Sequence, residues 1–245
     1  MSSKTIISLV PSLTELLFDL GLGDQVIGRT RFCIHPKGEA EKKPVIGGTK
    51  NPNLEKIREL NPGVIIANKE ENRQEDVEEL ERDFEVIVTE IDTIEEALFT
   101  IHDIGWSFSV QEKAKKLIQS IQQEMERVPD EPAMTAAYFI WRDPWMSVGH
   151  DTYIHSVMKH WNLENVYADK SRYPNTTLYE LSLKKPELIL LSSEPYPFKE
   201  NHIKEVRDIC RGSNIVLVNG EWFSWYGSRM QKGFRNLNIF RRAIS

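Results

Sequence analysis

The stretch that decides the fold is TIISLVPSLTELLFDLGLG, residues 5–23, which reads as one strand followed directly by one helix. Thr5 to Val10 is an apolar run rich in β-forming residues, and Pro11 closes it. Ser12, with Glu15 three residues later, predicts a capping box at the start of a helix. The leucines of that helix recur at helical spacing until Gly21, which predicts its end.

The same alternation of strand and helix continues along the chain. Residues 64–67 are uniformly apolar and predict a buried strand with helical patterns on either side. Apolar strands that alternate with helices favour an α/β fold in which a mainly parallel sheet is covered on both faces. A second series of this kind begins at Thr135 and ends in a helix over residues 228–244.

This pattern and the length of 245 residues predict two lobes, since domains usually hold about 100–150 residues. We expect an N-terminal α/β lobe over residues 1–92 and a C-terminal α/β lobe over residues 133–245. The region between them, residues 93–128, predicts one or two long helices. After Ser109 it contains no Gly or Pro as far as Val128, and its apolar side chains fall on a single helical stripe.

Two segments, residues 53–66 and 177–190, look alike when one is laid on the other. In both, a helix-capping residue, a leucine, an aliphatic residue one turn later, a proline and three strand aliphatics recur at the same spacing. Any unit of cap, helix, proline and strand can give such a match. Its placement at comparable points of the two halves favours two similar lobes.

The overall composition bears on the partners and the location of the protein. A net charge of −6 without a distinct basic cluster disfavours nucleic acid as a partner. No stretch approaches the ~20 apolar residues that span a bilayer. The residues before Ile6 do not form a signal peptide, so we expect either a cytoplasmic protein or a leader missing from this numbering. Cys33 and Cys210 could pair, but their separation in sequence decides nothing.

Aromatic residues concentrate in two segments that follow predicted strands, 141–145 and 221–229. In open α/β sheets ligands bind at the carboxyl ends of strands, where rings on loops can form a broad apolar platform. Alternatively, the rings seal the loops against the core. For the cluster as a whole we favour binding, and the candidate ligand contacts are Trp141, Arg142, Trp145, Trp222, Trp225, Tyr226 and Arg229.

The arginines near these aromatic residues have two interpretations. Arg31, Arg142 and Arg229 could each hold carboxylates or amide oxygens of a ligand, because a guanidinium group is a planar fork of donors. The alternative for each is a salt bridge to a nearby acid such as Asp143 or Glu221.

Several motifs together resemble a known family. Residues 8–17, SLVPSLTELL, followed by residues 21–23, GLG, are similar to the opening signature of bacterial solute-binding proteins of ABC importers that bind cobalamin, ferric siderophores or haem. Residues 47–57 and 221–223 resemble the family in order and spacing. The resemblance spans nearly the whole chain, and the length and motifs are closest to the cobalamin-binding members.

The resemblance implies a fold, a function and a location. The expected fold is two Rossmann-like lobes joined by a single long helix, with a corrinoid, ferric siderophore or haem held in the cleft between them. The expected function is capture and delivery to a membrane permease by a monomer, without catalysis. The family is periplasmic or extracytoplasmic.

Two glutamates are implied to dock onto the permease. Glu55 stands where the first-lobe glutamate of the family belongs. The second-lobe position falls on Tyr179, and the adjacent Glu180 is the candidate there. A carboxylate in the first turn of a helix also complements the helix dipole by ~0.3–1 kcal/mol without any partner.

Three aromatic positions of the family's ligand cleft are implied to be retained, at Phe32, Trp145 and Tyr173. Thr49 and Asn68 stand where the cobalamin-binding members have tryptophans. The resemblance therefore implies a cleft that is lined differently from theirs.

Two other functions stay open as alternatives. A free metal-ion site would need converging ligands, yet His150, His155 and His160 would point roughly 140° apart on a helix. A tetrapyrrole metal chelatase would need a His and a Glu facing the ligand, and His150 and Glu221 are the candidate pair. No serine hydrolase motif or phosphate-binding loop is present, so we expect no catalytic residue, no metal ligand and no intrinsic cofactor.

Overall fold

Four parallel strands form the first sheet of the structure, a computed structural model that describes residues 4–244. The strands are β1 (Ile6–Ser8), β2 (Val26–Arg29), β3 (Val64–Asn68) and β4 (Val86–Thr89), in the order β2-β1-β3-β4. β1 and β3 are buried along their whole length, as central strands covered on both faces should be. The predicted parallel sheet is confirmed in this half of the chain.

The first helix, α1 (Pro11–Asp19), forms without the predicted capping box. Its N-cap residue is Val10, whose side chain makes no capping hydrogen bond, and Pro11 occupies the first helical position. Proline suits that position because its missing N–H would have no helical partner there. The Glu15 carboxylate forms an ion pair with Arg229. The capping role predicted for Ser12 and Glu15 is therefore wrong.

Two further helices, α2 (Leu54–Leu60) and α3 (Gln74–Leu80), precede β3 and β4. Short 3-10 helices lie at Gly23–Gln25 and Ala40–Lys42. Apolar side chains from the strands, the helices and the loops form one buried cluster. Burial of each valine, leucine or isoleucine in it contributes about 1.5–3 kcal/mol to stability. The cluster consists of Ile7, Leu9, Ile46, Ile57, Ile65, Ala67, Val77 and Leu80.

In sequence, two helices lie between the strands of the first sheet and those of the second: α4 (Ile94–Ser107) and α5 (Gln111–Met125). They replace the single long helix that the resemblance implies. The break falls at Ser109, whose φ of 57° is left-handed and ends the helical ladder. The backbone N–H of Val110 then donates to the Gly105 carbonyl at 2.8 Å, which closes α4 before α5 begins.

A second parallel sheet contains β5 (Met134–Phe139), β7 (Leu163–Asn165), β9 (Leu188–Ser192) and β10 (Asn214–Val218), in the order β10-β9-β5-β7. Two short strands, β6 (Trp145–Met146) and β8 (Asn175–Thr176), form a separate antiparallel pair. Both four-stranded sheets have one topology: the first strand in chain order lies between the second and the third, and the fourth lies outside the third. The predicted α/β fold with two similar halves is confirmed.

The remaining helices are α6 (Tyr153–His160), α7 (Leu178–Lys184), α8 (Glu200–Ile209), α9 (Glu221–Ser224) and α10 (Arg229–Ala243). The near-repeat seen in the sequence corresponds to α2 with β3 and to α7 with β9. Asn53 caps α2 by accepting from the Lys56 N–H at 3.0 Å, and Thr177 caps α7 by accepting from the Glu180 N–H. Both helices end at a left-handed residue, Asn61 (φ 46°) or Lys185 (φ 49°). The repeat is therefore a repeated structural unit.

The chain divides into two compact units, each with one parallel sheet. The first comprises the residues up to Ile91, then Glu95–Ser120 and Tyr226–Arg229; the second comprises Asp92–Ile94, Ile121–Trp225 and the residues from Met230 onward. Among residues 4–244, no helix has the length and the apolar content that a bilayer crossing requires.

Gly227 is the point at which the short C-terminal segment 226–229 meets α1 within the first unit. Its φ of 85° is a conformation that side chains disfavour. A Cβ added there would lie 3.3 Å from the Leu16 Cβ and 3.4 Å from the Ser12 carbonyl oxygen. Glycine is required at this position for both its conformation and its close approach.

Candidate functional site

Several candidate residues lie in segments that directly follow strands of the two parallel sheets, at their carboxyl edges. In the first unit, Arg31 and Phe32 follow β2. In the second unit, the segment 140–145 follows β5 and the segment from Asn219 follows β10. This edge is the usual ligand-binding edge of an open α/β sheet.

Phe32 projects from the first unit, with 54% of its surface exposed. The neighbouring Cys33 is fully buried beneath it, where the Thr14 hydroxyl donates to Sγ at 2.9 Å. Burial raises the pKa of the Cys33 thiol. The backbone N–H of Arg31 donates to the Gly47 carbonyl at 2.8 Å and holds the loop against the next segment. An anchored turn therefore presents an exposed ring and an exposed guanidinium group.

The two positions that depart from the cobalamin-binding members are occupied by hydrogen-bonded polar groups. Asn68 is 1% exposed, and its Nδ2 donates to the Thr89 carbonyl and to Oγ1 at 3.1 and 3.0 Å. The Thr49 carbonyl accepts from Asn72 Nδ2 at 3.0 Å. Asn68 thus supports the end of β3 and offers no surface to a ligand.

Trp141 is the exposed ring of the second unit's edge, at 41% of its surface. Its ring lies edge-on to Tyr196, with centroids 5.7 Å apart. Tyr196 in turn contacts the Phe198 ring at 4.8 Å, and its hydroxyl lies 3.3 Å from His202 Nε2. Sequence reasoning missed Tyr196, although it follows β9 in a proline-rich aromatic loop, EPYPF at residues 194–198, that could have revealed it.

Trp145 has a different position from its neighbour Trp141. It is buried on β6, edge-on to Phe139 at 5.3 Å and stacked on Phe198 at 5.5 Å. The ring packs into the core cluster of the second unit, beneath the loop. Its packing fixes the segment that presents Trp141.

Arg142 forms salt bridges, which was the alternative to ligand binding for this residue. Nε and Nη2 donate to the two carboxylate oxygens of Glu205, each at 3.0 Å, and Nη1 donates to the Asp143 carboxylate. The bond to Glu205 raises the pKa of Arg142. Its fork of donors is thus engaged by acids of the same unit.

Tyr173 is half-buried in the loop that leads to β8, where the Arg172 guanidinium carbon lies 5.7 Å from the ring centroid. Arg172 has a left-handed φ of 53°, and its backbone N–H donates to Asp151 Oδ1. The turn that carries Tyr173 is therefore fixed from within the second unit.

The aromatic segment after β10 has a mixed exposure. Trp222 within the short helix α9 and Trp225 directly after it are half-buried. Phe223 is fully buried against Tyr138, with ring centroids 4.9 Å apart. Tyr226 is buried in the first unit. Arg229 donates from Nε and Nη2 to both oxygens of Glu15, at 2.7 and 2.5 Å.

The two glutamates considered for docking differ in their surroundings. Glu55 has an 80% exposed side chain in the first turn of α2 and contacts Arg58 Nη1 at 2.7 Å. Glu180 completes a capping box of α7, accepting from the Thr177 N–H at 2.8 Å and from the Thr177 hydroxyl at 3.1 Å. These bonds lower the pKa of Glu180. Tyr179, at the position that corresponds to Glu55, is 69% exposed.

Both alternative functions, the chelatase and the free metal-ion site, depend on histidines of the second unit. His150 is exposed, with Nδ1 2.7 Å from the Lys170 carbonyl, and Glu221 is half-buried in the first turn of α9. Burial lowers the pKa of His155, whose Nδ1 lies 3.2 Å from Asn165 Nδ2. Within the described part of the chain, no group of three or more His, Cys, Asp or Glu residues is placed to hold a metal ion. Cys33 and Cys210 are free and buried.

The family model described as "Periplasmic binding protein" matches residues 6–208. The vitamin B12-binding protein of Pectobacterium carotovorum is 24% identical over 239 residues, which cover 93% of this chain and 84% of that protein. An uncharacterised ABC transporter substrate-binding lipoprotein of Bacillus subtilis is 26% identical over 199 residues, 76% of this chain and 63% of that protein.

Solved structures share the fold. The periplasmic haem-binding protein from Roseiflexus sp. RS-1 superposes with a TM-score of 0.85 at 18% sequence identity, and the match covers 100% of both chains. At that identity the similarity is one of fold.

Proposed function

The chain belongs to the periplasmic binding protein family, and from this premise we propose that it is the substrate-binding component of an ABC importer for cobalamin, haem or a ferric siderophore. The observation that carries the class of function is the family match over residues 6–208. The relatives named for vitamin B12 and haem support the class of ligand, since each matches most of the chain.

The exposed rings at the sheet edges support the same ligand class. Phe32 in the first unit and Trp141 in the second each present a ring at the carboxyl edge of a parallel sheet. An aromatic side chain can bury roughly 150–250 Å² against a flat macrocycle or chelate. Trp222 and Trp225, both half-buried, offer further apolar area at the second edge. In this proposal Trp145 and Tyr196 support the binding loops.

The arginines divide into two groups in this proposal. Arg31 is exposed beside Phe32 and can donate to an oxygen of the ligand, such as a haem propionate carboxylate or the carbonyl of a corrin side-chain amide. Arg142 and Arg229 are engaged by Glu205 and Glu15, so their contribution is to fix loop geometry. The ligand is bound and released unchanged, without an intrinsic cofactor or a catalytic group.

Docking onto the permease is proposed to use Glu55. Its carboxylate is exposed in the first turn of α2, where it can reach a cationic group of a partner. Glu180 fits this role less well, because its carboxylate is held in the capping box of α7. The exposed Tyr179 offers the contact surface at that position of the second unit.

The proposed location is outside the cytoplasm, where such a protein meets its permease. The family description and the lipoprotein relative support this location. In this proposal the protein works as a monomer and does not bind nucleic acid.

The proposal is tested by titrating the purified protein with cyanocobalamin, haemin and a panel of ferric siderophores while tryptophan fluorescence is recorded. At least one compound should quench the emission saturably, because Trp141, Trp222 and Trp225 lie at the proposed site. If no compound quenches the emission saturably, this ligand class is refuted. Catalysed insertion of Zn²⁺ into protoporphyrin that the His150→Ala variant loses would instead indicate the chelatase alternative.

A further inference from the structure

Three arginines from distant parts of the chain line one surface pocket of the second unit. Arg127 follows α5, and Arg235 and Arg242 lie on α10. The pocket has a volume of about 240 Å³ and is completed by Glu124, Asn238 and Ile239. It shares no residue with the proposed ligand site, and nothing in the proposed function uses it.

Glu124 holds two of the arginines side by side. Its side chain is 4% exposed, and Oε1 accepts from Arg127 Nη1 at 3.0 Å and from Arg235 Nε and Nη2 at 3.1 and 3.0 Å. One carboxylate oxygen therefore offsets part of the repulsion between two guanidinium groups. Three guanidinium groups against one carboxylate leave a formal excess of two positive charges in the pocket lining.

The base of the pocket is fixed by a buried hydrogen-bond network. Asn238 Nδ2 donates to the Glu124 carbonyl at 2.8 Å, and Asn238 Oδ1 accepts from Trp161 Nε1 at 2.8 Å. Asn238 and Trp161 are buried, and Phe234 packs on the Trp161 ring with centroids 4.6 Å apart. A base that does not need to reorganise lowers the cost of binding.

The arginines keep donors available to a ligand. A guanidinium group carries five N–H donors. The Arg242 side chain donates from Nη2 to the Arg127 carbonyl, and at 3.5 Å this hydrogen bond is long. The side chains of Arg127 and Arg235 are 61% and 58% exposed. Helix α10 contains no acidic residue that could compete for these donors, although the whole chain has a net charge of −6.

We propose that this pocket binds a phosphate-type oxyanion. A phosphate monoester carries about −1.5 to −2 charges at pH 7. A phosphodiester headgroup has no second ionisable proton and carries about one, so the excess of two positive charges attracts either group. Planar guanidinium forks match the oxygens of a phosphate group in pairs. The volume is below the ~300–1,000 Å³ of pockets for drug-sized ligands, so it suits a small anion or a single headgroup.

The two sources of such an anion are a free phosphate compound and a phospholipid headgroup. Ile239, 60% exposed, lies in the lining between Arg235 and Arg242 on α10 and could contact acyl chains next to a headgroup. Both sources present phosphate oxygens to the guanidinium groups, so the experiment needs one arm for each.

The test measures inorganic phosphate binding by calorimetry and binding to phosphatidylglycerol/phosphatidylcholine vesicles by sedimentation. The variant Arg242→Gln should weaken binding roughly tenfold, because it removes charge-assisted hydrogen bonds while breaking no strong internal contact. The matched control is Arg207→Gln, an exposed arginine of α8 in the same unit with the same change of charge. Glu124→Gln should strengthen binding, since it removes the one negative charge of the pocket.

Each outcome decides the proposal. Phosphate binding that Arg242→Gln weakens and Arg207→Gln preserves identifies a free anion as the ligand. Vesicle binding with the same dependence, lost on zwitterionic phosphatidylcholine alone, identifies the anionic headgroup of phosphatidylglycerol as the ligand. The proposal is overturned if neither arm shows binding, if Arg242→Gln binds as tightly as the parent in both arms, or if both arginine variants lose binding equally. Unchanged affinity of Arg242→Gln for the compound found in the fluorescence titration would show that this site is separate from the proposed ligand site.

Discussion

Arg229 and Glu15 form a two-pronged ion pair across 214 positions of the chain, with Nε to Oε2 at 2.7 Å and Nη2 to Oε1 at 2.5 Å. Both side chains are nearly buried, and both belong to the first compact unit. Because α1 begins at Pro11, Glu15 lies inside the helix, and its carboxylate is engaged by Arg229 and not by the helix N-terminus. The pair also ties the start of α10 to the first helix of the chain.

Replacing Arg229 with Met should lower the free energy of unfolding by roughly 3 kcal/mol, since the nearly buried Glu15 carboxylate would lose its partner. Adding Glu15→Gln to that variant should restore part of the loss. Urea denaturation of the two single variants and the double variant gives the coupling energy. Strictly additive effects would show that the pair is not the source of the stability, and Arg82→Met, at an exposed site, is the control.

Replacing Gly227 with Ala should cost about 1–2 kcal/mol of stability, because the residue has a φ of 85° and a side chain would press on α1. Gly212→Ala is the matched control, because a Cβ there would meet no atom within 4 Å. Thermal denaturation compares the two. Equal melting temperatures for the two variants would contradict the assigned strain.

Replacing Glu180 with Gln should reduce stability in a manner that depends on pH. The Thr177 N–H and the Thr177 and Thr176 hydroxyls lower the pKa of the folded-state carboxylate below its ordinary value of 4.5. The stabilisation is therefore present above pH 4.5 and is lost as the pH falls through the lower folded-state pKa. Denaturation curves of the parent and the variant should converge in acid. A difference that stays constant down to the lowest pH would argue against the capping role.

Replacing Trp141 with Ala should weaken binding of the compound found by titration roughly tenfold or more, since a central aromatic contact is worth about 2 kcal/mol. The control is Trp106→Ala, which removes a 68% exposed tryptophan near the end of the helix α4. Equilibrium dialysis measures both affinities without relying on tryptophan emission. The assignment of Trp141 is wrong if both variants bind as tightly as the parent.

Replacing Glu55 with Lys should weaken association with the solubilised cognate permease several-fold and leave affinity for the small ligand unchanged. Glu59→Lys is the control, because this exposed glutamate lies on the same helix and undergoes the same change of charge. Pull-down and ligand titration are both needed. An equal loss in the two assays would refute a role confined to docking.

Much of the fold is predictable because its signals are local. The apolar run of β3, the cap at Asn53 and the proline after α2 each act within a few residues. The same pattern in α7 and β9 predicted the repeated unit. The errors have equally specific causes. Pro11 at the first helical position leaves Ser12 inside α1, and a left-handed Ser109 divides the region that the resemblance implied to be one helix.

The candidate site is harder to predict, because exposure and pairing depend on residues far apart in sequence. Trp141 and Trp145 are four positions apart, yet one is exposed and the other is in the core. Arg142 and Arg229 each donate twice to one acid, Glu205 and Glu15 respectively, and both acids are distant in sequence. The arginine pocket likewise joins the end of α5 to α10, so the sequence showed no basic cluster.

The central claim is tested most directly by hydrogen–deuterium exchange with and without the compound that the titration identifies. The exchange rates report which backbone segments the ligand covers. The account predicts slower exchange in residues 30–34 after β2, 140–145 after β5 and 219–225 after β10. Protection confined to segments away from these strand ends, in a protein saturated with its ligand, would contradict it.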